Sequence, residues 1–113
     1  MIMSCRVAVA SSDGKFVNRH FGHAEQFLIF EIAEGNCQYV ETRSTAALCD
    51  DQEHSDDRLA GIAKLISDCR AVLVAKIGPG ALDRLQSHGI QAYVIPDFID
   101  DALYALISSD KLR

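Results

Sequence analysis

The chain has 113 residues, of which 49% are hydrophobic and 24% charged. That length suits one domain, residues 1–113, able to bury roughly two thirds of its unfolded surface around a single core, and the composition is far from that of disordered chains. Eleven Lys and Arg against sixteen Asp and Glu give a formal charge of -5 with no basic run, which argues against nucleic acid as a partner. No apolar stretch approaches the roughly 18 residues of a membrane span, and residues 1–10 do not read as a secretory signal, so a cytoplasmic protein without membrane contact is expected.

Residues 5–11, CRVAVAS, are small, β-branched and mostly apolar, and they stop at Ser12-Asp13-Gly14; this predicts the first strand. Residues 26–33, QFLIFEIA, form a second apolar run. A turn at Glu34-Gly35-Asn36 then leads into 37–43, which predicts an antiparallel hairpin with Tyr39 or Val40 facing the core. Residues 44–55 are small and polar and read as a loop that holds Cys49 and His54.

From Asp56 the apolar positions Leu59, Ile62, Ala63 and Ile66 recur at helical spacing, with Ser55 as N-cap, predicting a helix over 56–68. Ala71 to Ala75 is a continuous apolar run, the pattern of a strand covered on both faces. Pro79 suits the start of a second helix over 80–88, with Leu82 and Leu85 inward and His88-Gly89 at its end. Residues 91–95 give the last strand. After Pro96, Asp97 is expected to cap a helix over 98–108 that buries Ile99, Ala102, Leu103, Leu106 and Ile107. The order β-β-β-α-β-α-β-α implies a single-domain α/β fold, a mixed sheet flanked by helices whose later strands run parallel. Val7, Val9, Leu28, Phe30, Leu73, Leu103 and Leu106 are its expected core.

In such sheets the loops after the carboxyl ends of parallel strands bind ligands. Two loops qualify, 11–24 (SSDGKFVNRHFGHA) and 76–80 (KIGPG). The second places glycines at a helix start, where backbone N–H groups and Lys76 favour an anion, though a plain strand-to-helix turn has the same pattern. It meets neither nucleotide-binding fingerprint. The first carries His20 and His23, two imidazoles three residues apart around Phe21 and Gly22; neutral imidazole is a common ligand of iron and other transition metals.

Four cysteines, Cys5, Cys37, Cys49 and Cys69, contain no C-x-x-C pair, which argues against a disulfide framework or a closed zinc site. Cys5, Cys37 and Cys69 read as small core residues; Cys49, in a polar loop, is the one expected to be accessible as a ligand. No spacing argues for a general acid-base pair, so an enzyme is not expected.

The segment VAVASSDGKFVNRHFGHAEQFLIFEI at 7–32 and AVLVAKIGPGALDRLQSHGI at 71–90 closely resemble the two signatures of the nitrogenase iron-molybdenum cofactor biosynthesis family, and the resemblance extends over nearly the whole chain. Within that family the likeness is to the NifX proteins and the C-terminal domain of NifB. It implies a ribonuclease H-like fold and a carrier role for an iron-sulfur cofactor or precursor of the NifB-co or iron-molybdenum type in nitrogen fixation, with cofactor-assembly proteins as partners and a monomer or weak homodimer as the assembly. By position His23 falls in the family's F-G-x-A region and becomes the first candidate ligand, followed by His20 and Cys49; Phe21, Gly22, Lys76, Gly78 and Gly80 complete the expected binding site. The C-x-x-x-C-x-x-C pattern of a radical enzyme domain is absent from the sequence. The competing reading is a regulatory or protein-interaction domain that keeps the fold without bound metal.

Overall fold

The computed structural model describes residues 4–45 and 55–108, with residues 55–58 described by backbone alone. Five strands form one sheet: β1 (Ser4–Ala10), β2 (Gln26–Ala33), β3 (Asn36–Ser44), β4 (Ala71–Val74) and β5 (Gln91–Val94). Three helices cover it: α1 (Ser55–Leu65), α2 (Pro79–Ser87) and α3 (Ile99–Ser108). The sheet order is β3-β2-β1-β4-β5, with β1 antiparallel to β2 and parallel to β4, and β4 parallel to β5. The expected mixed α/β sheet is therefore what the sequence forms.

Alternation along β1 explains the two cores. Ala8 and Ala10 face α1 and α2, joined there by Phe27, Ile29, Ile62, Ala63, Ile66, Val72, Val74 and Leu85. Val7 and Val9 face α3, where Leu28, Ile32, Leu73, Ile99, Leu103 and Leu106 pack. Because both faces are covered, β4 is buried at every position, as a continuous apolar run requires. Phe30 is the exception among the expected core residues: it is half-buried, at the margin of the α3 cluster.

The hairpin turns on Glu34 and Gly35, with φ of 55° and 80°. Two central residues of positive φ match the right-handed twist of the strands, and Gly35 adopts that region without steric cost. Asn36 is not part of the turn but pairs with Ala33. A bulge follows: Ile29 pairs with Glu41 and Phe30 with Tyr39, leaving Val40 unmatched. Tyr39 and Cys37, opposite Phe30 and Ile32, are exposed rather than in the core, as is Val40. The reason is position: β3 is the edge strand, and the cluster under α3 ends at β2.

Helix ends follow their chemistry. Pro79 occupies the first turn of α2, and Gly89, at φ 72°, closes its end after the His88 cap. At α3 the expected Asp97 cap is displaced by one residue. The carbonyl of Phe98 accepts the Ala102 N–H, so Phe98 is the capping position, and the Asp97 carboxylate accepts the Phe98 N–H at 2.8 Å.

An ion cluster ties the edge strand to the end of α1. Arg43 forks onto Asp68 with bonds of 2.6 and 2.9 Å, donates to the Leu65 carbonyl at 3.0 Å and pairs with Glu41, while Arg6 on β1 reaches Asp68 at 3.2 Å. Hydrogen bonding from Arg43 holds the Asp68 carboxyl down at about 2. The folded state thus prefers the ionised form more than the unfolded chain, where the carboxyl titrates near ~3.9. The contribution is complete above that unfolded value and disappears as pH falls through about 2. Asp68 is 46% exposed, so solvent screening keeps it to about 1 kcal/mol or less. Urea midpoints of the native chain and Asp68→Asn should differ at pH 7 and converge by pH 2; a constant difference would contradict this account.

Candidate functional site

The carboxyl ends of the parallel neighbours β1 and β4 lie side by side, and their loops run on together past the sheet. Ala75 donates to the Arg19 carbonyl and Phe21 to the Lys76 carbonyl, both at 2.9 Å, and His20 bridges Lys76 in a short parallel step. The chain then closes a 3-10 turn, Phe21–His23, in which the His23 N–H meets the His20 carbonyl at 3.1 Å. Phe21 is fully buried and packs on Phe27, with ring centroids 5.8 Å apart. This ring holds the turn down. The residues around it, His20 and His23, are left exposed.

Between this turn and the start of α2 opens a cleft of about 440 Å³ lined by His20, Phe21, Gly22, His23, Lys76, Gly78 and Gly80, with Leu59, Ile77 and Ala81. Its size falls in the range of small-ligand sites, about 300–1,000 Å³. All seven residues expected in the binding site from the 20–23 and 76–80 loops therefore line one cavity. Cys49, the remaining candidate, lies outside the described residues, as does His54.

The two imidazole rings stand edge to face with centroids 5.9 Å apart. Leu59 of α1 forms the base: its methyl groups lie 3.4 Å and 3.8 Å from where a Cβ on Gly22 or Gly80 would sit. At Gly78 a Cβ would meet nothing within 4 Å. The missing side chains leave the backbone open to the cleft. Gly78 caps α2 without a side-chain bond and the first helical residue is a proline, so the N–H groups of Gly80 and Ala81 have no acceptor within the helix, whereas Leu82 already bonds to the Gly78 carbonyl at 3.1 Å. Lys76 stands beside them and the described lining residues include no carboxylate, so this wall favours an anion although the chain carries a net charge of -5.

The sequence model of the family described as dinitrogenase iron-molybdenum cofactor matches residues 3–109. The chain belongs to this family. The FeMo cofactor biosynthesis protein NifB of Frankia alni is 39% identical over 100 residues, covering 86% of this chain and 20% of that protein. NifB of Klebsiella pneumoniae is 38% identical over 96 residues, 80% of this chain and 20% of that protein. The chain thus spans about a fifth of the length of these curated relatives. Among solved structures, PH0822 superposes with a TM-score of 0.72 at 28% identity, covering 92% of this chain and 89% of that one. The orange protein of Desulfovibrio gigas in its apo form gives 0.71 at 18% identity, covering 92% and 88%, a likeness of fold alone.

In this member of the dinitrogenase iron-molybdenum cofactor family the described cysteines stand apart from the cleft. Burial pushes the Cys69 thiol up to about 12, reinforced by the neighbouring Asp68 charge. Burial also raises Cys5, and Cys37 with help from Asp100. All three are protonated at neutral pH, and none lines the cleft. Among the described residues no group of three or more His, Cys, Asp or Glu side chains is placed to hold a metal ion, and no helix is long and apolar enough to cross a membrane. Sequence reasoning missed Leu59, Ile77 and Ala81; their apolar character marks them only as core, and nothing in the chain signals that Leu59 closes a cavity.

Proposed function

We propose that the cleft between the 20–23 turn and α2 carries an anionic iron-sulfur cofactor or precursor of the kind used in nitrogenase cofactor assembly, as a transient cargo and without catalysis. The observation that carries this reading is the pairing of two exposed imidazoles with a wall made of Lys76 and the start of α2, whose described lining residues include no carboxylate. Two imidazoles do not complete the coordination of a bare transition-metal ion. A cluster that brings its own sulfide ligands needs only one or two protein donors and a surface that accepts negative charge. In this reading His23 and His20 ligate exposed iron, Lys76 and the N–H groups of Gly80 and Ala81 face the anionic sulfides or carboxylates, Phe21 positions the turn, and Gly22 and Gly78 let the cargo approach the backbone. Such an arrangement holds a cluster loosely, which suits delivery to cofactor-assembly proteins.

The test is anaerobic titration of the chain with isolated precursor cluster, followed by gel filtration and iron assay. Iron should co-elute with the protein and saturate at a fixed ratio. Iron recovered only in the small-molecule fraction would leave the reading of a metal-free interaction domain.

A further inference from the structure

On the α3 face of the sheet, opposite the cleft, a second concavity of about 650 Å³ lies between the 12–15 turn, β2, β3 and the start of α3. Its floor is Leu28 and Ile99, and its walls are aromatic. Tyr39 stands edge to face on Phe30 with centroids 5.9 Å apart, and Phe98 lies on Phe16 at 4.2 Å. Three of the chain's eight aromatic side chains, five Phe and three Tyr in all, thus line one groove, and a fourth, Phe16, backs Phe98. Phe98 is 50% and Tyr39 54% exposed, a large apolar surface left in water.

The rim is acidic. Asp13 and Asp100 line the groove against one cation, Lys15; Asp97 and Asp101, both exposed, are the chain neighbours of Phe98 and Asp100. The Asp13 carboxylate is fixed by the N–H groups of Lys15 and Phe16 at 2.9 and 3.0 Å. The loop carrying it is clamped to α3 by Ile99 donating to the Lys15 carbonyl and Val17 to the Asp97 carbonyl. Aromatic faces attract cations through their quadrupole, and carboxylates add Coulomb attraction. Arginine meets both demands at once, stacking its plane on a ring while forking onto a carboxylate, and leucine-like neighbours fill an apolar floor. The cleft on the other face has the reverse character, so one ligand class does not suit both.

We propose that this groove docks a partner polypeptide through an arginine-bearing apolar segment, leaving the histidine cleft open on the opposite face. The test titrates the isotope-labelled full chain with a blocked pentapeptide alternating leucine and arginine, followed by NMR. Saturable shifts should centre on residues 12–15, 28–30, 39–42 and 98–100. Tyr39→Ala and Asp100→Asn, both at exposed positions, should each weaken binding by about threefold or more, the size of an exposed cation-aromatic or charge contact, while the rest of the spectrum is unchanged. A peptide with glutamate in place of arginine should not bind. The proposal is overturned by absence of saturable binding, by equal binding of the glutamate peptide, or by shifts centred on His20, His23 and Lys76. Equal affinity for tetramethylammonium would overturn it too, making the occupant a free small cation.

Discussion

Truncating Phe21 to alanine should lower the unfolding free energy by about 3–5 kcal/mol, the cost of deleting a fully buried ring whose site collapses only in part. Phe21 has no exposed surface and sits in the cluster beneath α1 and α2, against Phe27. The backbone of the same residue donates to Lys76, which keeps the 20–23 turn against the start of α2. Loss of the ring therefore loosens both walls of the cleft although no candidate ligand is removed. Urea unfolding of Phe21→Ala and Phe21→Leu separates the contributions: leucine should recover a large part of the stability. Cluster retention should be reduced in the alanine variant even under conditions where it is fully folded. A stability loss under about 1 kcal/mol would mean that the turn is held by its backbone bonds and not by the ring.

The sheet was legible because its signals are local. AVLV at 71–74 is too short for a helix and apolar throughout, and the Pro79 and Gly89 punctuation marks α2 at both ends. The cleft was legible for a topological reason: loops leaving the carboxyl ends of adjacent parallel strands must share an edge, so residues 20–23 and 76–80 meet although more than fifty positions separate them. Exposure of Tyr39 and Cys37 was not legible. Their alternation matches that of buried residues, and only the knowledge that β3 is the outer strand, beyond the reach of α3, tells that their face is open. The aromatic groove was hidden for a different reason. Phe16, Phe30, Tyr39 and Phe98 come from four separate segments, and no periodicity links them.

The 11–24 loop joins the two concavities physically. Its first half, through Asp13 and Lys15, belongs to the acidic groove and is bonded to the start of α3; its second half, from Arg19 onward, is bonded to the chain after β4 and presents the imidazoles. Between them Val17 is buried at 1% exposure in the α3 core. The long segment is thus not a slack connection. Each half is anchored to a different layer of the fold, which fixes the histidines relative to α2.

Replacing His20 and His23 together by alanine should weaken retention of the isolated precursor cluster by about a hundredfold, with each single variant costing about tenfold, equivalent to roughly 1.4 kcal/mol apiece. A hundredfold loss requires that both rings ligate one cluster. Their 5.9 Å centroid separation and shared position on the cleft rim allow that, and substitution at two exposed positions removes little packing. Thermal unfolding of the apo double variant should therefore stay within about 4 °C of the parent, since surface changes of this kind usually lie within about ±0.5 kcal/mol each. Lys76→Gln should weaken binding less, and its effect should fade with added salt because an exposed ammonium acts through a screened field. Protons compete with iron for the imidazole lone pair, so acidification should reduce affinity in the parent chain but not in the double variant, which controls for acid damage to the cluster itself. If the double variant loses stability while binding the cluster as tightly as the parent, the histidines are structural and the ligands must be sought elsewhere. If it keeps both stability and affinity, the electropositive start of α2 alone holds the cargo, and Lys76→Gln becomes the larger effect.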